Sequence, residues 1–185
     1  MAVKTFTSEI LTSSDTNTYL ANSGLVYVAS ATLSAAATIN VDSVFTSTYT
    51  NYRVIVWAVK TTASTDINLK LRASGTNNSA NYYSTSIFAS AGSLLTTSEN
   101  NQSNFRFIYT GSANDYPTAT FDIFRPQETV GTSIILAGMG WDGTNVTNRS
   151  YNGFHDNAGS FDGFSLSVAS GTVTAKYAVY GYRKP

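Results

Sequence analysis

The chain has 185 residues, eleven basic and eleven acidic side chains, no cysteine, and only 12% charged residues. This length fits one domain with a sizeable core, and the lack of cysteine excludes disulfides, thiolate chemistry and cysteine-based zinc sites. A net charge of zero with scattered Lys and Arg argues against nucleic acid and anionic membranes as partners.

The first 24 residues differ in pattern from the rest of the chain. Ser14 or Asp15 would cap one or two helical turns that end near Gly24. We predict an N-terminal anchoring arm at residues 1–24, which either folds back on its own domain or docks on a neighbouring subunit. The apolar side chains expected to anchor it are Phe6, Ile10, Leu11, Tyr19 and Leu20.

From residue 25 onward, short runs rich in Tyr, Phe, Val, Ile and Thr alternate with Gly, Asn and Ser clusters, a pattern typical of β-strands. The most apolar run, residues 52–59, is predicted to be buried on both faces. Polar segments at 73–81, 96–103 and 140–148 are predicted loops. The predicted strands lie at residues 25–29, 37–41, 52–59, 66–72, 82–88, 104–109, 119–125, 133–139, 149–154, 163–168 and 173–182.

The absence of helical periodicity between these strands excludes parallel βαβ architectures. We therefore predict an all-β domain at residues 25–185, an antiparallel two-sheet β-sandwich of jelly-roll type. The start of the chain does not resemble a signal peptide, and no apolar run is long enough to span a membrane. We expect synthesis in a cytoplasm without secretion by a signal peptide.

The sequence offers little support for catalysis. His155 is the single histidine, and no Gly-x-Ser-x-Gly motif is present, so we interpret His155 as a loop or interface residue. Asp142, Asn145 and Asn148 could supply oxygen ligands to Ca²⁺ but lack the order of an EF-hand loop. We predict a protein that is not an enzyme and that holds no cofactor or metal.

A few aromatic residues suggest binding to a partner or a sugar. Trp141, flanked by glycines, is either an exposed platform for a sugar ring or a turn residue that fills the core. Tyr82 and Tyr83 are either contact residues or ordinary strand residues. The candidate residues for a glycan or partner contact are Trp141, Asp142, Tyr82 and Tyr83.

Several segments resemble small structural proteins of tailed bacteriophages, especially those of cyanobacterial phages. The arm KTFTSEILTSSDTNTYL at residues 4–20, SGLVY at 23–27 and FTSTYTNY at 45–52 resemble their N-terminal parts. GFSL at 163–166, SG at 170–171 and YGYRK at 180–184 resemble their terminal strands. The resemblance implies a jelly-roll module on the virion surface, often trimeric, and supplies no active-site residues.

The leading hypothesis is a homotrimeric head decoration (cement) protein on the outside of a phage virion. Its arm would fasten it to neighbours, and its partners would be copies of itself, the major capsid protein or other virion proteins. One alternative is a short tail or neck fibre whose loops at 75–81, 96–103 and 140–148 touch the host. Another is a carbohydrate-binding module, for which a host surface glycan is the expected partner.

Overall fold

The computed structural model describes residues 24–111 and 117–183, and these ranges contain thirteen strands and no helix. Within them, therefore, no helix is long and apolar enough to cross a membrane. The predicted arm lies outside the described residues apart from Gly24. In chain order the strands are β1 (Leu25–Ala36), β2 (Thr38–Val41), β3 (Asn51–Thr61), β4 (Thr65–Ala73), β5 (Thr76–Asn77), β6 (Tyr82–Ser90), β7 (Ser93–Gln102), β8 (Phe105–Thr110), β9 (Thr118–Phe124), β10 (Thr132–Trp141), β11 (Val146–His155), β12 (Gly163–Val168) and β13 (Val173–Tyr182).

The strands form a large and a small antiparallel sheet. The large sheet has the order β1-β13-β3-β9-β10-β11-β6-β7, and the small sheet has the order β2-β12-β4-β8, with β5 paired to β4. The sheets join at one corner, where Trp141 of β10 and Thr110 of β8 form a single parallel bridge. There the Gly111 amide donates to the Trp141 carbonyl. The predicted all-β, sandwich-like fold is confirmed.

The core lies between the sheets and is built by alternation along the strands. Phe164 of the small sheet contacts rings of the large sheet, with its ring centroid 5.7 Å from that of Phe121 and 6.0 Å from that of Tyr177. Phe45, in the loop before β3, covers a further side of Phe164 at 6.1 Å. These rings are buried, so Phe164 joins the two halves of the sandwich.

The run at residues 52–59 is buried on one face only, contrary to the prediction. Tyr52, Val54 and Val56 are fully buried, whereas Trp57 is 37% exposed. The reason is that β3 belongs to a sheet packed on one side, whose other side faces solvent.

The predicted polar loop at 96–103 is also wrong, because most of it belongs to strand β7. Ala91 and Gly92 both have positive φ, 49° and 78°, which is the backbone of a tight two-residue hairpin turn. This turn brings Ser93–Gln102 back alongside β6 in antiparallel register. As an edge strand, β7 is held by backbone hydrogen bonds and needs no apolar alternation. Of the other predicted loops, 75–81 includes the short strand β5. The predicted loop at 140–148 is shorter than expected, since β10 and β11 leave only residues 142–145 between them.

A buried arginine ties the small sheet together. The Arg72 side chain is 5% exposed, and its guanidinium donates to Asp42 at 2.6 Å and to Asn40 at 2.8 Å. It also donates to Asn77 at 2.6 Å and to the Gly75 carbonyl at 2.5 Å. One side chain therefore links β2, β4 and the turn into β5.

Candidate functional site

Three adjacent strands of the large sheet, β10, β11 and β6, present a solvent-facing side that carries no charged residue. Alternation places every second residue of each strand on this side, in register with its neighbours. We call this surface the uncharged face. Its members are Ser133, Ile135, Ala137, Met139 and Trp141 of β10, Val146, Asn148, Ser150, Asn152 and Phe154 of β11, and Tyr83, Thr85, Ile87 and Ala89 of β6.

Large apolar side chains on the uncharged face are open to solvent. Ile135 is 54% exposed, Phe154 40%, Ile87 48% and Val146 62%. The solvent side of an antiparallel sheet is usually polar and often charged. Apolar groups among Ser, Thr and Asn side chains, with no charge, match the composition of the middle of a protein interface.

A charged cluster lies beside this face, on the neighbouring strands of the same sheet. Arg53 of β3 donates twice to the Asp122 carboxylate of β9, at 2.8 and 2.6 Å, and the Tyr182 hydroxyl donates to the same carboxylate at 2.6 Å. Burial alone would raise the pKa of Asp122, but the hydrogen bonds from Arg53 and Tyr182 hold it below its ordinary value. The fixed ion pair bounds the uncharged face on one side.

A groove with two lobes lies on the side of the large sheet opposite to the uncharged face. Strand β7 lines both lobes, β6 and β11 line the second lobe, and β4 and β8 form the other wall. We call this groove the interstrand groove. Its first lobe, about 350 Å³, is lined by Thr65, Asp66, Asn68, Glu99, Gln102, Asn104, Arg106 and Ala169. Its second lobe, about 380 Å³, is lined by Asp66, Phe88, Ser90, Leu95, Thr97, Arg106, Tyr109, Asp142 and Arg149.

Ion pairs hold the charged side chains of the interstrand groove in place. Arg106 lies between the two lobes, with its guanidinium 3.1 Å from Glu99 and 4.0 Å from Asp66. The Arg149 guanidinium approaches Asp66 at 3.4 Å and lies over the Phe88 ring, 5.1 Å from its centroid. Cations and carboxylates therefore alternate along the groove, and each cation faces at least one carboxylate.

Asp142 closes the end of the second lobe and is fixed by its own turn. Its carboxylate accepts from the backbone amides of Asn145 and Thr144, at 2.6 and 2.9 Å, and from the Ser90 hydroxyl at 2.9 Å. These hydrogen bonds lower the pKa of Asp142 to about 2. Because the Asn145 side-chain amide also donates to this carboxylate, the turn is not arranged as a set of oxygen ligands. Among the residues that the structure describes, no cluster of three or more His, Cys, Asp or Glu could hold a metal.

His155 is a core residue, so its interpretation as a loop or interface residue is wrong. It ends β11 fully buried, and its ring packs edge-on against Tyr82 and Phe161, with centroids 4.6 and 5.0 Å away. Within the described ranges neither ring nitrogen has a hydrogen-bond partner of good geometry. Burial lowers the pKa of His155, and the nearby Ala80 backbone and Asp156 carboxylate offset only part of this effect.

Lowering the pH from about 7 to about 5.5 is expected to reduce the free energy of unfolding. The lowered pKa means that, as the pH falls below about 6.5, the unfolded chain takes up a proton on His155 more readily than the folded chain does. Carboxylates with ordinary pKa values near 3.8 remain ionised in this range. Urea unfolding of the wild type and of His155→Phe at both pH values checks this, because phenylalanine cannot be protonated. An equal loss in both proteins would exclude His155 as the cause.

The residues predicted to contact a glycan or partner fall in three different places. Trp141 and Tyr83 lie on the uncharged face, at opposite ends, and both are half-buried. Asp142 lines the interstrand groove. Tyr82 lies in the core at 1% exposure, where its hydroxyl donates to the Asn78 carbonyl and accepts from the Leu71 amide, so it is not available to an external ligand.

The sequence interpretation missed most of the groove. Asp66, Glu99, Arg106 and Arg149 come from four strands that are distant in the chain. The one sequence signal was alternation, which placed Asn68, Lys70 and Arg72 on the outer side of a strand. It did not indicate which strand would lie opposite.

Comparison of the chain with models of protein families, with curated proteins and with solved structures found no match.

Proposed function

We propose that the chain is a non-enzymatic structural protein on the exterior of a bacteriophage virion, a homotrimeric head decoration protein that stabilises the capsid. The observation that supports self-association is the uncharged face. The phage setting rests on the resemblance of the segments at residues 4–20, 23–27, 45–52, 163–166, 170–171 and 180–184.

The chemistry of the uncharged face suits a contact between protein surfaces. Interface centres are depleted of charge because a charge buried without a partner loses its hydration. On this face Ile135, Phe154 and Ile87 lose contact with water when covered, and the Asp122 carboxylate beside Ile135 is already paired with Arg53. Apolar and uncharged polar groups at one site favour a copy of the same chain over a charged partner.

The uncharged face alone is smaller than a stable interface between subunits, so other parts of the chain are expected to contribute to the contact. Three strands about 4.8 Å apart, each with about ten residues rising about 3.3 Å, cover roughly 450 Å². A stable interface buries about 800 Å² on each partner. We assign the remaining interface area to the arm. Its apolar residues would dock on the neighbouring subunit or on the capsid, and these residues are Phe6, Ile10, Leu11, Tyr19 and Leu20.

Stabilisation of the capsid would follow from mass action. A subunit that binds only the assembled shell lowers the free energy of that shell and leaves free capsid protein unaffected. A trimer adds avidity, because the second and third contacts form at high effective concentration.

The purified chain is expected to sediment as a trimer, and the double variant Ile135→Asp, Phe154→Asp is expected to sediment as a monomer. Two carboxylates on the covered face would have to be buried unpaired, which costs several kcal/mol of association free energy. Analytical ultracentrifugation over a concentration series measures this, with circular dichroism to verify the fold. Tyr27→Asp is the control, since Tyr27 is 59% exposed on the same sheet but lies on β1, away from the face. A monomeric wild type, or a double variant that stays trimeric, would contradict self-association through this face.

The position on the particle is tested by cryo-electron microscopy of phage particles that carry the chain. Density repeated over the head lattice supports decoration of the capsid. Density confined to the tail or neck overturns that role and supports the alternative of a short fibre that contacts the host.

A further inference from the structure

We infer that the interstrand groove is a carbohydrate-binding site for a short neutral glycan, with one sugar ring in each lobe. The lobes, about 350 and 380 Å³, are at the small end of ligand pockets. The two lobes adjoin at Asp66 and Arg106, which line both, so a ligand with one ring in each lobe would contact these two side chains from both sides.

The first lobe is lined by planar polar groups. Asp66 and Glu99 offer carboxylate oxygens, Asn68, Gln102 and Asn104 offer both amide N–H and carbonyl oxygen, and Arg106 offers N–H groups. Each of these groups carries two polar atoms in one plane and can bond to two adjacent hydroxyls. Because a hydroxyl both donates and accepts, a sugar ring can use this mixture of donors and acceptors fully.

The charges in the groove favour a neutral ligand. Glu99 and Asp66 are already paired with Arg106 and Arg149, at distances of 3.1 to 4.0 Å. The Asp142 carboxylate is satisfied by four hydrogen bonds from its own turn and Ser90. An ionic ligand would have to displace one of these internal pairs, whereas hydroxyls can bond to paired groups at their unused lone pairs and N–H groups.

A buried donor in the second lobe points to an incomplete set of hydrogen bonds. The Arg149 side chain is 10% exposed, and its Nε has no acceptor among the described residues. A buried, charged donor without an acceptor lowers the stability of the folded state, because it loses its hydrogen bonds to water and gains none in return. Arg149 lines this lobe, so a bound ligand would lie beside a guanidinium whose hydrogen bonds are incomplete.

The second lobe also has apolar walls, which sugars need for their C–H faces. Phe88, Leu95 and Tyr109 line it. Tyr109 is fixed by a hydrogen bond of 2.7 Å between its hydroxyl and that of Ser64, and Phe88 is fixed beneath the Arg149 guanidinium. Walls that are ordered before binding lower the entropy cost of association.

The groove and the uncharged face use opposite sides of the same strands. On β6, Phe88 and Ser90 line the groove while Ile87 lies on the face, and on β11 Arg149 lines the groove between Asn148 and Ser150 of the face. Both surfaces can be occupied together. Glycan binding is therefore independent of the proposed self-association.

The test is titration of the isotope-labelled full chain with neutral sugars, followed by ¹H–¹⁵N NMR. The probes are glucose, galactose, mannose, N-acetylglucosamine, lactose, maltose and cellobiose, with inorganic phosphate as the anionic comparison. We expect saturable shifts of the side-chain amides of Asn68, Gln102 and Asn104 with at least one disaccharide, which binds more tightly than its component monosaccharides. Asn68→Ala and Arg106→Met are expected to weaken that binding by about tenfold or more, the equivalent of one charge-assisted or buried hydrogen bond.

Asn104→Ala provides a second groove variant in case Arg106→Met disturbs the fold, and Asn152→Ala, on the uncharged face, is the control that retains full affinity. The proposal is overturned by an absence of saturable shifts with every sugar, by shifts confined to residues outside the groove, or by tighter binding of phosphate at the same amides. Sedimentation of the same samples reports self-association separately, so failure of one proposal is distinguishable from failure of the other.

Discussion

Phe164→Ala is expected to lower the free energy of unfolding by about 3 to 5 kcal/mol, enough to unfold a marginal domain. Phe164 is fully buried, and its ring lies within 6.1 Å, between centroids, of Phe45, Phe121 and Tyr177. The substitution removes apolar contacts between the sheets and leaves a cavity, because rings held by both sheets cannot collapse into the space. Guanidinium unfolding monitored by tryptophan fluorescence measures the loss.

Two further variants separate the cavity effect from general sensitivity to substitution. Phe164→Leu keeps most of the volume and is expected to cost about 1.5 kcal/mol or less. Leu94→Ala removes a side chain that is 68% exposed and is expected to change stability by about 0.5 kcal/mol at most. A similar loss in all three variants would mean that Phe164 does not join the sheets as described.

Arg72→Met is expected to lower the free energy of unfolding by about 3 kcal/mol, although methionine preserves much of the volume. The substitution removes hydrogen bonds to Asp42, Asn40, Asn77 and the Gly75 carbonyl at once. Asp42 is 42% exposed, and Asn40, Asn77 and Gly75 are exposed or half-buried, so these acceptors regain water and the loss comes from the hydrogen bonds to the guanidinium themselves. The loss is measured by urea unfolding and, locally, by faster amide hydrogen exchange in β2 and β5.

Arg72→Lys and Lys70→Met complete the comparison. Lysine keeps the charge but not the planar fork, so it is expected to recover only part of the stability. Lys70 points outward from the same strand and contacts Ser79 at 3.3 Å, so Lys70→Met is expected to be nearly neutral. Full rescue by lysine would show that charge, and not the geometry of the guanidinium, holds these strands together.

The strands were predictable where one face of a strand is buried, because alternation then appears in the sequence. Ile67, Leu69 and Leu71 are fully buried between outward-facing residues, as their pattern predicts. Strand β7 was not predictable in this way, since an edge strand far from the core carries polar side chains on both sides. Its signal was the Ala91–Gly92 turn, which has a tight-hairpin backbone without the usual Asn or Asp.

The candidate sites were less predictable than the fold, because they depend on which strands become neighbours. Ile135 and Phe154 are ordinary strand residues in the sequence, and only the register of β10 with β11 places them on one charge-free surface. Similarly, Asp66 and Arg149 are 83 positions apart, and only the packing of the large sheet against the small sheet brings them together. Trp141, the most distinctive residue of the sequence, lies where the two sheets join.

The position of β13 has a consequence for how the protein is made. This strand, near the end of the chain, lies between β1 and β3, which are near its beginning. During synthesis, β1 and β3 therefore leave the ribosome before their shared partner. On each strand the edge that pairs with β13 stays open until residues 173–182 have emerged. Such edges invite pairing with other chains. Folding of this sheet is thus delayed until β13 has been made, and a polypeptide that is interrupted before β13 would tend to aggregate.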